Sequence, residues 1–132
     1  MMDFLNGIWD TIVWQSPYML RLLVACICGC VIGVERSLRQ KEAGIRTHIV
    51  VAIGAALAMI LSKYAFFDTV DADASRIASQ IITGVSFLGA GVIFVRGATI
   101  RGLTTAAGIW TTAVIGMAIG AGMYPLGILP PY

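Results

Sequence analysis

The chain has 132 residues, of which 58% are hydrophobic and only 12% are charged. Soluble domains have about 45–50% apolar and about 25% charged residues, so this composition excludes an ordinary water-soluble fold and predicts a membrane protein. The length leaves room for a single transmembrane domain over residues 1–132 and no soluble C-terminal domain. The net charge of +2 says little as a total, because the informative quantity is where the nine Lys and Arg residues lie.

An amphipathic segment and four apolar stretches follow one another along the chain. Residues 1–15 divide into a polar and an apolar stripe at helical spacing, which indicates a short interfacial helix; a frayed terminus with aromatic anchors is the alternative. Each apolar stretch is close to the ~20 residues that cross a bilayer core of ~30 Å. The stretches cover residues 17–34, 48–67, 77–95 and 103–124. Because lipid offers the backbone no hydrogen-bond partner, they predict an all-α membrane protein, a compact bundle of four transmembrane helices.

Local signals indicate where the helices begin and end. Ser16 and Pro17 are typical of an N-cap and a first helical residue, so they are expected to open the first span. Gly44 is typical of the residue that follows a helix C-terminus, which predicts that the first helix continues beyond the bilayer and stops there. Thr47 is then expected to cap the second span.

The loops between the spans differ in charge. Four basic residues lie in the first loop, residues 35–47, and two lie in the third, residues 96–102, whereas the second loop carries three aspartates. Basic loops are retained in the cytoplasm. We therefore expect loops 35–47 and 96–102 inside and both termini outside.

Small residues mark the faces on which membrane helices pack closely. The fourth span carries a ladder at i+4 spacing that begins at Thr104, and the first span carries a glycine pair. The packing candidates are Gly29, Gly33, Gly108, Thr112, Gly116 and Gly120. These faces can pack within one chain or between protomers of a homo-oligomer, for which a dimer is expected.

Polar groups in or at the ends of membrane spans mark function by default. Glu35 could coordinate a cation, or it could pair with a nearby Arg and fix the inner ends of the first two spans. Gln80 lies one turn into the third span and needs a partner on a neighbouring helix. Gly89 and Gly91 could allow that helix to unwind around a cavity, although close helix packing explains the two glycines more simply. His48 is expected to be a structural hydrogen-bond donor.

The sequence contains few motifs that indicate metal binding or catalysis. Asp71 and Asp73 resemble the start of a calcium loop, but Arg76 occupies the position of the required glycine. These two aspartates remain the candidates for a contact with hydrated Mg²⁺, and no other cofactor is expected. The sequence contains no HExxH motif and no phosphate-binding loop, so neither an enzyme nor a catalytic residue is predicted.

Three blocks of the sequence are similar to the MgtC/SapB family of bacterial inner-membrane proteins. They read GVERSLRQKEAGIRTH from Gly33 to His48, RIASQIITGVSFLGAGVI from Arg76 to Ile93 and RGLTTAAGIWTTAVIGMAIGAGMY from Arg101 to Tyr124. The blocks occur in the family's order and at its membrane positions. Carried over by position, the motif marks Glu35, Arg36, Lys41, Gly44, Arg46, Thr47, Arg76, Gln80, Gly84, the stretch from Phe87 to Gly91 with Gly89 at its centre, Arg101, Gly102, Thr104, Thr105 and Trp110.

The resemblance implies a location in the bacterial inner (plasma) membrane. It also implies a regulator linked to adaptation to low magnesium, intracellular survival and virulence, which binds other inner-membrane proteins such as the rotary ATP synthase. The alternative is a small homo-oligomeric transporter or channel for Mg²⁺ or monovalent cations. Membrane lipids and proteins are the expected partners, and nucleic acid is not. Family members usually continue into a fifth span and a cytoplasmic domain, whereas four spans are predicted here.

Overall fold

The structure is a computed structural model that describes residues 1–123, apart from the side chain of Arg96. It is mostly helical, as predicted, with helices α1 (Met2–Leu38), α2 (Ile45–Tyr64), α3 (Ser75–Gly91) and α4 (Leu103–Gly120). Between α3 and α4, strands β1 (Phe94–Arg96) and β2 (Thr99–Arg101) form an antiparallel hairpin. Three helices of the described part, α1, α2 and α4, are long and apolar enough to cross a membrane.

Helix α1 continues through Pro17, so the prediction that Ser16 and Pro17 open the first span is wrong. Proline lacks the N–H that would bond the carbonyl of Val13 four residues earlier. The hydroxyl of Ser16 donates to that carbonyl instead, at 2.8 Å, and thereby replaces the missing donor. The predicted interfacial segment is the exposed first part of this helix, whose 37 residues are about 55 Å long.

The connection between α1 and α2 also differs from its prediction. Helix α1 ends at Leu38, and Gly44 is the N-cap of α2 instead of the residue that ends α1. The hydroxyl of Ser37 accepts a hydrogen bond from the N–H of Ile45 at 3.2 Å, so a side chain of α1 caps the start of α2. Thr47 is therefore an exposed residue of the first turn and not the cap.

The third predicted span is too long at its C-terminus. Helix α3 ends at Gly91, and Phe94 and Val95 belong to β1, where Val95 pairs with Ile100. Gly102 then enters α4 with a φ of +90°, and a side chain there would collide with the carbonyl of Val92. The fourth span begins at Leu103 as predicted, and Tyr124, its last predicted residue, lies outside the described residues.

Helix α2 packs against both α1 and α4 through glycines. A Cβ atom on Gly29 of α1 would lie 2.7 Å from the carbonyl oxygen of His48, and one on Gly33 would lie 2.5 Å from the Cα atom of Ile45. On α4, Cβ atoms on Gly116 and Gly120 would collide with the backbone carbonyls of Ala52 and Ala56. The small-residue faces therefore lie inside the chain, between its own helices.

Helix α3 packs on one side only. Its buried residues, Ala78, Val85 and Gly89, face α2 and α4. At its first turn the buried hydroxyl of Ser62 donates to the carbonyl of Ala74 and accepts from the N–H of Ala78. These two bonds tie the start of α3 to the end of α2, while the opposite face of α3 is exposed.

Candidate functional site

A partly buried polar cluster joins α1, the loop after it, the first turn of α2 and the first turn of α4. We call Arg36, Glu42, His48 and Thr105 the Arg36 cluster. The hydroxyl of Thr105 donates to the carboxylate of Glu42 at 2.6 Å and accepts from the guanidinium of Arg36 at 3.4 Å. Thr105 is only 1% exposed, so its hydroxyl links a cation and an anion at the edge of the protein interior.

The backbone at the start of α4 explains why Glu42 lies there. Gly102, the N-cap of α4, has no side chain to bond the free N–H groups of the first turn. A helix N-terminus carries a partial positive charge and favours a nearby carboxylate. The carboxylate of Glu42, from the loop after α1, provides this negative charge, and its hydrogen bond with Thr105 holds it beside the first turn of α4.

His48 is completely buried in the same cluster. Its Nδ1 lies 2.8 Å from the carbonyl oxygen of Gly44; because a carbonyl can only accept, Nδ1 donates in this hydrogen bond. Neither Nε2 nor the Nε of Arg36 has a hydrogen-bond partner among the described residues. A Cβ atom on Gly108 would lie 3.8 Å from the former and 4.0 Å from the latter. The absence of a side chain at Gly108 thus leaves space beside the buried Nε2 of His48 and Nε of Arg36.

An open pocket of about 420 Å³ adjoins the Arg36 cluster. Lys41 and Arg101 are exposed on its wall, close to Glu42, and Thr104 and Thr105 contribute the side formed by α4. The hydrogen bond from Thr105 lowers the pKa of Glu42 below its ordinary value of 4.5, with further contributions from its own backbone N–H and from the charges of Lys41 and Arg101. The pocket therefore holds an ionised carboxylate within a basic surface.

The lowered pKa of Glu42 predicts a loss of stability in acid. A carboxyl group whose pKa is lower in the folded protein stabilises it above the ordinary value of 4.5, and this contribution disappears as the pH falls through the folded value. The thermal midpoint in detergent should therefore drop between pH 6 and pH 3 more steeply for the wild type than for Glu42→Gln. Thr105→Val should flatten the profile in the same way, since it removes the main cause of the shift; profiles parallel to wild type would contradict the assignment.

A second cluster closes the opposite end of the molecule. The guanidinium of Arg21 donates to the hydroxyl of Tyr64 at 2.9 Å and to the carbonyl of Gly120 at 3.0 Å. Its Cζ atom also lies 5.1 Å from the ring centroid of Tyr64, within the range of a cation–π contact. Lys63 donates to the carbonyl of Ala121 at 3.1 Å. We call Arg21, Lys63 and Tyr64 the Arg21 cluster, and it satisfies carbonyls at the C-terminus of α4.

The structure brings only some of the predicted site residues together. Two of them, Arg36 and Thr105, belong to the Arg36 cluster, and Lys41, Arg101 and Thr104 line its pocket. Glu35 is exposed and pairs with Arg39 at 3.0 Å on its own helix, so this ion pair does not link α1 to α2. The remaining exposed candidates, none of which lines this pocket, are Arg46, Thr47, Arg76, Gln80, Gly91 and Trp110.

The two aspartates proposed for Mg²⁺ lie in the loop before α3. Both carboxylates are exposed, and Asp73 accepts hydrogen bonds from the N–H of Ser75 at 2.9 Å and from its hydroxyl at 2.6 Å. Asp73 therefore stabilises the start of α3. Within residues 1–123, no three or more His, Cys, Asp or Glu side chains converge as a metal site would require.

Sequence reasoning gave little weight to Glu42 and His48, although both belong to the cluster. A signal was present for His48, which lies one helical turn after Gly44 and so can bond its carbonyl. None was present for Glu42, because its partner Thr105 is 63 residues away.

The comparisons with known proteins agree on one family. A sequence model of the MgtC family matches residues 22–130. "Putative magnesium transporter YhiD" of Escherichia coli K12 is 55% identical over 118 residues, which are 86% of this chain and 55% of that protein. "Protein MgtC" of Salmonella typhimurium is 46% identical over 108 residues, 82% of this chain and 45% of that protein. "Uncharacterized protein slr0014" of Synechocystis is 43% identical over 116 residues, 88% of this chain and 48% of that protein. No solved structure matches the chain.

The chain spans about half the length of the curated relatives that it matches. The family match covers the Arg36 cluster, Lys63 and Tyr64 of the Arg21 cluster, and all four helices except the first part of α1, which includes Arg21. The resemblance inferred from the three sequence blocks is thereby confirmed, and the chain belongs to the MgtC family.

Proposed function

We propose that the chain is a regulator in the bacterial inner membrane, active in adaptation to low magnesium, that acts by binding other membrane proteins. The observation that carries this proposal is the close packing between the two polar clusters. His48 and Tyr64 are 16 residues apart on α2 and so about 24 Å apart along the axis of that helix. Between them lies an apolar cluster of Ala25, Ala52, Ala56 and Ile119. A cation moving from one cluster to the other within a single chain would have to cross it.

The charge pattern supports the orientation of this unit in the membrane. The hydrogen bond between Glu42 and Thr105 places the first and third loops at one end of the molecule. Basic loops favour the cytoplasm, so we place loops 35–47 and 96–102 inside and both termini outside. Helix α3 has 17 residues, at the lower limit of a crossing helix, and we include it as the fourth span. The exposed aromatic residues of segment 2–16, among them Trp9 and Trp14, suit the outer interface.

The basic surface around the pocket is our proposed site for a partner protein. Lys41, Arg46 and Arg101 are exposed at the loop end, and exposed charges of one sign favour association with a surface of the opposite sign. The rotary ATP synthase is the partner that the family resemblance suggests. Because the chain spans only part of its relatives, the other half of a longer protein could add contacts of its own.

The surface can be tested by removing its charge. We expect the triple variant Lys41→Gln, Arg46→Gln and Arg101→Gln to co-purify about tenfold less ATP synthase from membranes, because three surface pairs at about 0.5 kcal/mol each correspond to one order of magnitude. Lys63→Gln, which removes a positive charge at the opposite end, is the control and should bind as wild type does. Equal recovery of ATP synthase by the triple variant and the wild type would contradict the proposal.

One observation favours the alternative function, cation transport between copies of the chain. The exposed face of α3 carries Ser79, Gln80, Thr83 and Ser86, and polar groups of this kind can line a path for ions. Purified protein in liposomes would then pass Mg²⁺ or a monovalent cation, and Gln80→Leu would reduce the flux. Our proposal predicts that oriented protein gives no flux above that of empty liposomes.

A further inference from the structure

The exposed face of α3 is polar although the helix belongs to a membrane protein. The hydroxyls of Ser79 and Thr83 donate to carbonyls of their own helix, at 2.9 and 3.4 Å. The amide of Gln80 has no hydrogen bond to any residue that the structure describes. An amide left without a partner in hydrocarbon is costly, and membrane proteins satisfy such groups by bonds between helices. This face therefore needs a protein neighbour.

The same face combines a projecting side chain with a depression. Phe87 is 82% exposed, and Gly84 and Gly91, one turn before and after it, have no described atom within 4 Å of an added Cβ. Beside them runs an apolar groove of about 310 Å³ between α2 and α3, to which Gly54 and Leu88 contribute. The projecting ring and the groove that could receive it thus belong to one surface.

Charges of both signs lie at the outer end of this face. Arg76 lies in the first turn of α3, and Asp71 and Asp73 lie in the loop just before it, all exposed. A molecule that presents this surface to a copy of itself brings each Arg76 near the aspartates of the other. The two chains share one orientation in the membrane, so a two-fold axis along its normal would relate them.

We propose that the exposed face of α3 and the adjoining α2–α3 groove bind a second copy of this chain. Under two-fold symmetry a surface must complement itself. An amide is both donor and acceptor, so two Gln80 side chains facing each other satisfy one another. The ring of Phe87 fills the partner's groove over Gly54 and Gly84, which allow the helices to approach closely. This interface is separate from the basic surface proposed for the regulatory partner.

Cysteine cross-linking in native membranes tests the interface. In a background with Cys26, Cys28 and Cys30 replaced by Ala, we expect mild oxidation to convert most Thr83→Cys protein to a disulfide-linked dimer. Ile27→Cys is the control, since Ile27 is also exposed but lies on α1. A yield for Thr83→Cys no higher than for Ile27→Cys would overturn the proposal, as would a cross-linked product containing a different protein.

A second pair of variants tests the groove. Adding Gly84→Leu to Thr83→Cys should lower the dimer yield at least about fivefold, because the new side chain occupies the space of the partner's ring. Gly7→Leu is the matched control, since a Cβ atom added to Gly7 would also have no described atom within 4 Å. An unchanged yield with Gly84→Leu would contradict the groove contact. Capture of ATP synthase, measured on the same variants, should be unaffected, so the failure of either proposal can be recognised separately.

Discussion

Adding one methyl group at Gly116 is expected to destabilise the protein by about 1–3 kcal/mol, the usual cost of overpacking a filled interior. The new Cβ atom would collide with the carbonyl oxygen of Ala52 on α2. That contact is with backbone, so no side chain can rotate away. Helix α2 cannot move away from α4 either, because α1 packs closely against its other side. A Cβ atom on Gly29 of α1 would lie only 2.8 Å from the Cα atom of Ile49 on α2.

Gly7→Ala is the matched control for Gly116→Ala. It adds the same methyl group to a helix of the same protein, but no described atom lies within 4 Å of the new Cβ. Removing a glycine from a helix interior stabilises by about 0.5–1 kcal/mol. Unfolding by SDS in mixed micelles, followed by circular dichroism, should therefore show a lower midpoint for Gly116→Ala and an equal or higher one for Gly7→Ala. Equal midpoints would mean that α2 and α4 are not packed as described.

The helical fold and the close-packed glycines could be predicted because both depend on local composition. Stretches of about 20 apolar residues can satisfy their backbone only as helices, whatever surrounds them. The ladder from Gly108 to Gly120 also predicted a packing face. The spacing could not show which helix packs on this face, because an interface with a second protomer would use the same small residues. The contact between Gly116 and Ala52 places the face inside the chain.

The helix ends could not be predicted, because they depend on neighbours that the local signals do not include. Pro17 normally indicates a helix start, but a donor from Ser16 allows the helix to continue. Gly44 normally ends a helix, but Ser37 makes it the start of the next one. In both places a single hydroxyl changes the outcome.

The candidate site could not be predicted for a similar reason, because it depends on contacts between residues that are far apart in the sequence. Glu35 and Glu42 are seven residues apart and carry the same group, and the sequence favoured Glu35 because it lies nearer the membrane. The fold gives Glu35 an exposed partner on its own helix and brings Glu42 to Thr105 of α4. Only the packing of α4 against α1 and α2 decides between the two carboxylates.

Thr105→Val should be the most damaging isosteric change in the Arg36 cluster. Valine keeps the shape of the buried side chain but removes the hydroxyl that donates to Glu42 and accepts from Arg36. Arg36, whose Nε already has no partner among the described residues, would lose a further contact. The α1–α2 loop would lose its tie to α4, so proteolysis between Leu38 and Gly44 should accelerate.

The control for Thr105→Val is Thr112→Val, one ladder position beyond Gly108 on the same helix. Thr112 is equally buried, but its hydroxyl donates to the carbonyl of Gly108 at 2.7 Å within α4, where the helix itself already supplies a donor. Thr105→Val should therefore lower the free energy of unfolding by about 1–2 kcal/mol more than Thr112→Val does, the net worth of one or two lost hydrogen bonds between elements. If the two variants unfold alike and are cleaved alike, the Arg36 cluster does not hold the loop to α4. A larger effect confined to Thr105 would mean that the basic pocket surface is held in place by a single buried hydroxyl.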